Sequence, residues 1–192
     1  LNDPTYLNED LYNNPKEYFI FLSEIIKKRF QNNPISIIDI GCASGAFLYY
    51  LNKQITIEKA TGIDISDKLL AMAKIKMPNI NFINTSVIDL QNIELPKYDI
   101  CVFLGVMPIF DNIELIMRNL ISVMNNTGAL YILDSINNDP VDVIMRYKIS
   151  SENSEWQSGF NMRSEKSYGN ILRTINASLK YRFYPFNIKF PI

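Results

Sequence analysis

The chain has 192 residues, of which 47% are hydrophobic and 20% charged, a composition that buries one core and is too short for two enzymatic domains. Nineteen Lys and Arg against 20 Asp and Glu leave a net charge of −1, which offers no basic field to a polynucleotide, so no nucleic-acid partner is expected. The longest apolar run, Ile100 to Phe110, is broken by Gly105 and Pro108 and falls well short of the ~20 residues of a membrane span, so no membrane partner is expected either.

Histidine is absent, which removes His triads, His/Cys zinc sites and a His general base; no metal site is expected. Cys42 and Cys101 both lie in apolar segments and read as packing residues in a reduced, cytoplasmic protein. The opening Leu-Asn-Asp-Pro carries no export signal, and the lack of an initiator Met reads as a trimmed or processed start.

Strand-type and helix-type segments alternate for most of the length, the pattern of a βαβ architecture with a parallel sheet. Pro15 stands at a first helical turn. Tyr18, Phe19, Leu22, Ile25 and Ile26 then recur at spacings of three and four up to Lys27-Lys28-Arg29, whose charges suit a helix C-terminus. Ile35 to Ile40 is a β-branched run of the kind buried on both faces, a first strand stopped by Gly41. Ala46 to Asn52 reads as a helix and Ala60 to Ile65 as a second strand. The next helix is capped by Ser66 or Asp67, with Leu69, Leu70, Met72, Ala73 and Ile75 as its buried stripe up to Pro78.

Asn81 to Val87 and Tyr98 to Leu104 follow as strands. Asn112 to Met124 returns to helical spacing, Asn125-Asn126-Thr127-Gly128 supplies C-cap chemistry, and Ala129 to Leu133 is a fifth strand. Polar residues dominate from Asn137 to Ser167 apart from a helical patch at Val141 to Tyr147. A helix around Ser164 to Leu179 and a strand around Lys180 to Ile188 complete the pattern.

The most informative stretch is Ile38-Asp39-Ile40-Gly41-Cys42-Ala43-Ser44-Gly45-Ala46-Phe47. A buried strand entering a small-residue turn and then a helix exposes backbone N–H groups to a ligand with no side chains in the way. The spacing is G-x-x-x-G, not the G-x-G-x-x-G of dinucleotide binders, so a pyrophosphate is not the expected guest. Nineteen positions after Gly45, Asp64 stands at the end of the second strand, where a carboxylate accepts hydrogen bonds from two vicinal ribose hydroxyls. Together the two features describe a nucleoside pocket. As alternatives, the turn reads as purely structural and Asp64 as a helix cap.

With these residues, and with Lys97 to Val106 as a fourth strand and its loop, the sequence resembles the class I S-adenosylmethionine-dependent methyltransferases over about residues 35 to 135. The resemblance implies an α/β, Rossmann-like, doubly wound and mostly parallel sheet flanked by helices. It implies one domain over 1–192, with an N-terminal helical segment at 1–33, a cofactor core at 34–135 and an acceptor-facing insert, last helix and strand at 136–192. It also implies S-adenosylmethionine as cofactor and S-adenosylhomocysteine as product. Asp39, Gly41, Cys42, Ala43 and Gly45 would surround the methionine part, Asp64 with Ile65 the ribose, and Ser86 and Val87 the adenine. Gly105 and Val106 would face the reacting methyl group. Ser86 replaces the family's usual acid, with Asp89 as a substitute or a mere loop residue, and Ala43 replaces a third glycine found in many members.

Methyl transfer from a sulfonium needs alignment more than a base; for a hydroxyl acceptor, Asp111, Asp134 and Tyr147 are the positional candidates to take the proton. Tyr6 to Tyr12, Val106 to Asp111 and Tyr147 to Arg163 would set specificity. The lone Trp156, with Arg146, Lys148 and Arg163, suits a small polar or anionic acceptor such as a sugar or phosphate-bearing metabolite, the class that small bacterial members of this family often modify, or else Trp156 packs the insert onto the sheet. Two alternatives remain open, a non-catalytic cofactor-binding relative and a nucleotide-dependent oxidoreductase; oligomeric state is left open. The resemblance further implies a last antiparallel strand for which no residues remain after Ile192, so Phe183, Phe186, Ile188 and Phe190 are expected beside an open sheet position, as in a truncated chain or one covered by another segment.

Overall fold

A computed structural model of the protein describes residues 10–31, 33–150 and 154–186. Its centre is a parallel sheet of β1 (Ile35–Ile40), β2 (Ile57–Asp64), β3 (Asn81–Asn84), β4 (Tyr98–Leu104) and β5 (Met124–Leu133) in the order β3-β2-β1-β4-β5. The chain lays strands outward from β1 to β3, then returns to place β4 on the other side of β1. The order therefore reverses between β1 and β4, and in open α/β sheets the crevice that takes a ligand lies outside the C-terminal ends of the strands at such a point.

Helices α1 (Glu17–Phe30), α2 (Ala46–Asn52), α3 (Asp67–Lys76), α4 (Ile113–Ser122) and α5 (Glu165–Ile175) clothe the sheet. Alternation along β1 and β4 divides the core. Ile35, Ile37, Ile100 and Val102 meet Phe19, Ile26, Phe47, Leu51 and Leu70 on one face. Ile38, Ile40, Cys101 and Phe103 meet Ile116, Leu120 and Tyr168 on the other. Helix α1 has Glu17 in its first turn, three cations in its last and Gln31 in the left-handed conformation at its end. Of the two predicted caps, Ser66 or Asp67, Ser66 forms, its side chain accepting an amide three residues on, and Asn112 and Ser164 cap α4 and α5 in the same way.

Several boundaries differ from the sequence reading. Strand β2 begins at Ile57, three residues early, and β3 ends at Asn84, because Ser86 turns the chain into a 3₁₀ segment over Val87–Asn92. Strand β5 begins at Met124: the supposed cap residues form an irregularity in which Tyr98 pairs with Met124 and Ile100 with Ala129. Asn125 secures it by donating to Asp99 at 2.8 Å. Ile75 faces solvent at 84% exposure, so α3 is buried through Leu69, Leu70 and Ala73.

The predicted helical patch at 141–147 is extended. Val143 bridges Met162, and β7 (Arg146–Tyr147) pairs antiparallel with β8 (Gln157–Ser158). Its apolar side chains Val141, Val143, Ile144 and Met145 are all exposed, so helical spacing there had no surface to bury against. The short β6 (Ile136–Asn137) pairs with β9 (Arg163–Ser164), and α5 ends at Ile175, four residues before the expected Leu179.

The strand expected from Lys180 is not formed over 180–186. Phe183 packs with the second core cluster instead, and the Phe186 ring lies 5.2 Å from that of Phe21 in α1. Phe183 and Phe186 thus reach the elements on either side of the sheet, and Tyr184 between them acts on Tyr131 of β5. Ile188 and Phe190, like Tyr6, lie outside the described residues.

Candidate functional site

The loop leaving β1 is shaped by three left-handed residues, Gly41 (φ 77°), Ala43 (φ 48°) and Gly45 (φ 75°). Gly41 and Cys42 donate to the Ile63 carbonyl at 2.7 and 2.9 Å, and Gly45 to Cys42 at 2.7 Å, which locks the turn against the end of β2. A Cβ on Gly41 would stand 2.6 Å from Cγ2 of Val106, so the loops after β1 and β4 touch here and only glycine fits both the space and the dihedral. Ala43 holds the left-handed conformation despite its Cβ. Its amide donates to Asp64 Oδ2 at 2.8 Å, an anchor that offsets the strain.

Asp64 is half-buried at the end of β2 and its other oxygen, Oδ1, accepts the Ser66 amide at 2.9 Å. The helix cap is Ser66, so the cap reading of Asp64 is not the one the fold uses. Each Asp64 oxygen retains a lone pair for a further donor. Ile65 beside it is 60% exposed.

Asp39 is 2% exposed and faces the same side of β1 as Ile37. Among the described residues its carboxylate takes no hydrogen bond, and burial, with the Asp64 charge adding to it, pushes its pKa up to about 8. Burying an acid that has no donor among the described residues is costly, and this one stands at the mouth of the β1 turn. Cys42 and Cys101 are free and buried, and burial raises both thiols, which suits packing.

Ser86 spends its hydroxyl on the Ile88 amide, and Asn119 of α4 donates to the Val87 and Ile88 carbonyls at 2.9 and 3.1 Å. That buried asparagine fixes the 3₁₀ segment, while Asp89 is exposed on it. At Gly105 (φ 73°) a Cβ would meet nothing within 4 Å, so the space above β4 is open. Tyr12 donates to the Ser44 carbonyl at 2.6 Å and lies edge-on to Tyr49, with Lys76 5.0 Å from both ring centroids. It braces the β1 turn from outside.

The three positional proton acceptors have different surroundings. Asp111 accepts from Ser158 at 2.9 Å and from Asn161 at 3.2 Å and pairs with Arg146 at 3.0 Å; these contacts, the Ser158 bond foremost, hold its carboxyl below the usual range and make it a poor base. Tyr147 donates to Gln157 across the hairpin. Asp134, at the end of β5, accepts from the Tyr168 hydroxyl and the Ser135 amide, and burial raises its pKa.

The insert is fastened by Asn161, 2% exposed, which accepts the Met145 amide and donates to Phe110 and Asp111. Its cations are largely committed: Arg146 to Asp111, Arg163 to the Asp111 carbonyl, and Lys148 to the Trp156 ring at 5.5 Å. Trp156 is 65% exposed and does not pack the insert onto the sheet. Tyr12, Asn119, Asn161 and Tyr168 carry no motif. The Tyr6 to Tyr12 and Tyr147 to Arg163 stretches contain Tyr12 and Asn161, without singling out either.

Residues 31–182 match the protein family described as “Methyltransferase domain”. The chain is 31% identical over 102 residues to “Putative methyltransferase 235L” of Invertebrate iridescent virus 6, covering 53% of this chain and 37% of the viral protein. Among solved structures, the plantazolicin methyltransferase BpumL, in complex with a monoazolic desmethylPZN analog and SAH, is 27% identical with a TM-score of 0.53, over 67% of this chain and 49% of that one. PH0226 from Pyrococcus horikoshii OT3 has a TM-score of 0.62 at 17% identity, over 90% of this chain and 86% of that one, and shares the fold. The chain thus spans about a third of the viral relative's length and about half of BpumL's.

Proposed function

Because the chain belongs to the methyltransferase-domain family, we propose that it is an S-adenosylmethionine-dependent methyltransferase acting on a small molecule. The observation that carries the reading is Asp39, a buried carboxylate with no hydrogen-bond donor among the described residues, two positions before the glycine at which the loops after β1 and β4 meet. A bound ammonium supplies the missing partner, and the cofactor's methionine end carries one.

The donor set fits the rest of that cofactor. Asp39 would hold the ammonium, with the backbone from Gly41 through Cys42 and Ala43 to Gly45 along the methionine part. Asp64 would take the ribose, with Ile65 beside it, and Ser86 and Val87 would border the adenine. Gly105 and Val106 would border the reacting end, where the cofactor when bound supplies an electrophilic methyl group. BpumL's complex with SAH supports the choice.

For the acceptor, the insert supports an apolar or aromatic body bearing an O–H or N–H. Its cations are engaged internally, whereas Trp156 and Phe160 are 65% and 69% exposed. This moves the expectation away from a phosphate-bearing metabolite. Native mass spectrometry with S-adenosylhomocysteine and, separately, NAD tests the reading. One S-adenosylhomocysteine bound per chain and no NAD is the expected result; NAD binding alone would overturn it.

A further inference from the structure

Three strands, β1, β4 and β5, lie side by side in that order, and neighbouring strands are about 4.8 Å apart. The end of β5 therefore stands about 10 Å across the crevice from the β1 turn, on the side of the open space above Gly105. Asp134 is the carboxylate at that end. Its Oδ2 accepts from the hydroxyl of Tyr168, a side chain of α5 that is 3% exposed, and its Oδ1 accepts the Ser135 amide. Asp134 is only half-buried, so the remaining lone pairs of its carboxylate are left for a further donor.

We propose that Asp134 accepts the proton of the methyl acceptor's O–H or N–H, and that Tyr168 is its positioning residue. The inference rests on the methyltransferase reading and extends it to the proton. The acceptor's oxygen or nitrogen lone pair forms the new bond to carbon, the carbon–sulfur bond breaks with its electrons going to sulfur, and the acceptor's proton passes to Asp134, which later loses it to water. Burial favours protonation of Asp134 relative to an exposed carboxylate, whereas the Tyr168 and Ser135 hydrogen bonds and the Arg163 guanidinium of β9 oppose it. Tyr168 stays neutral throughout: burial and the Asp134 charge raise its pKa, the more distant Asp142 does so slightly, and Arg163 lowers it. Asp142 is itself held by Ser164 and Ser167. The contrast with Asp111 is chemical, because there an ion pair and side-chain donors stabilise the charge and no comparable burial opposes it.

The test is carboxyl ¹³C NMR titration of Asp134 in the protein bound to S-adenosylhomocysteine and to sinefungin, which carries an ammonium where the cofactor carries its reacting methyl. A group facing that position feels the added charge, so its midpoint should be lower by about 0.5 pH unit with sinefungin. Equal midpoints would overturn the proposal while leaving the cofactor reading intact; failure of both compounds to bind in calorimetry would overturn the cofactor reading itself. In Tyr168→Phe the Asp134 midpoint should rise, because a donor to the charged form is lost, with S-adenosylhomocysteine affinity unchanged. An unmoved midpoint would reduce Tyr168 to a packing residue and remove it from the proposal.

Discussion

The β1–β2 end of the sheet and the insert at 138–163 are built by different means. The first is a backbone device: three left-handed residues, paired amides on Ile63 and one carboxylate, Asp64, binding two amides. The second is held by side chains that reach across 47 to 51 positions of sequence, Ser158 to Asp111 and Asn161 to Phe110. Backbone devices tolerate few residue types and so leave a signature in sequence. Side-chain networks can be assembled from many residue types, which lets acceptor specificity change while the cofactor end stays fixed.

The largest break in that contrast should come from Gly41→Val. The added side chain meets Val106, and a β-branched residue is strained at φ 77°, so S-adenosylhomocysteine affinity should fall more than about 100-fold in calorimetry while the insert's hydrogen exchange stays as in wild type. A folded variant that binds normally would place the cofactor elsewhere.

Asp64→Ala removes charge-assisted bonds worth about 1.5–3 kcal/mol, a loss of roughly 10- to 150-fold in affinity. Because the same carboxylate ties down Ala43 and Ser66, the melting temperature should fall as well. Asn161→Ala is the converse experiment. It removes the partner of the Met145 amide, a bond worth about 0.5–1.5 kcal/mol, so exchange protection across 143–162 should drop roughly 2- to 10-fold, with cofactor affinity unmoved. A change in cofactor affinity would show that the two regions are coupled.

Stability should also carry a pH slope. Asp39 has a pKa near 8 in the folded protein against about 4 when unfolded, so the native state holds the extra proton between these values. Its contribution to stability is full below about pH 4 and is lost as pH rises towards 8. Thermal melts from pH 5 to 8 should show a decline that Asp39→Asn flattens.

The legible part of the molecule was the part made by local rules. Ile35 to Phe47 shows a buried strand, a small-residue turn and the start of a helix in thirteen residues, and Asp64 follows at a strand end; the structure brings all of them together. The cap at Ser66 was legible for the same reason. The 141–147 segment was not, because its apolar spacing fits a helix while its conformation is set by pairing with residues 157–164. The start of β5 was hidden behind Asn125 to Gly128, whose turn chemistry serves a strand irregularity as well as a helix end. Tyr168 was not legible and Asn161 only as one member of the Tyr147 to Arg163 stretch, since a tyrosine in an amphipathic helix and an asparagine in a polar stretch become informative only once Asp134 and Met145 are seen beside them.

The central claim, a cofactor whose ammonium meets Asp39, is tested most directly by calorimetry of S-adenosylhomocysteine at pH 7 in phosphate and in Tris, which differ in ionisation heat. Pairing with the ammonium favours the charged carboxylate, so a proton held in the free protein must leave on binding. The expected result is release of about one proton per ligand, with affinity rising from pH 6 to 8 in wild type and not in Asp39→Asn. Binding with a heat that is the same in both buffers, or with affinity that falls as pH rises, would contradict it.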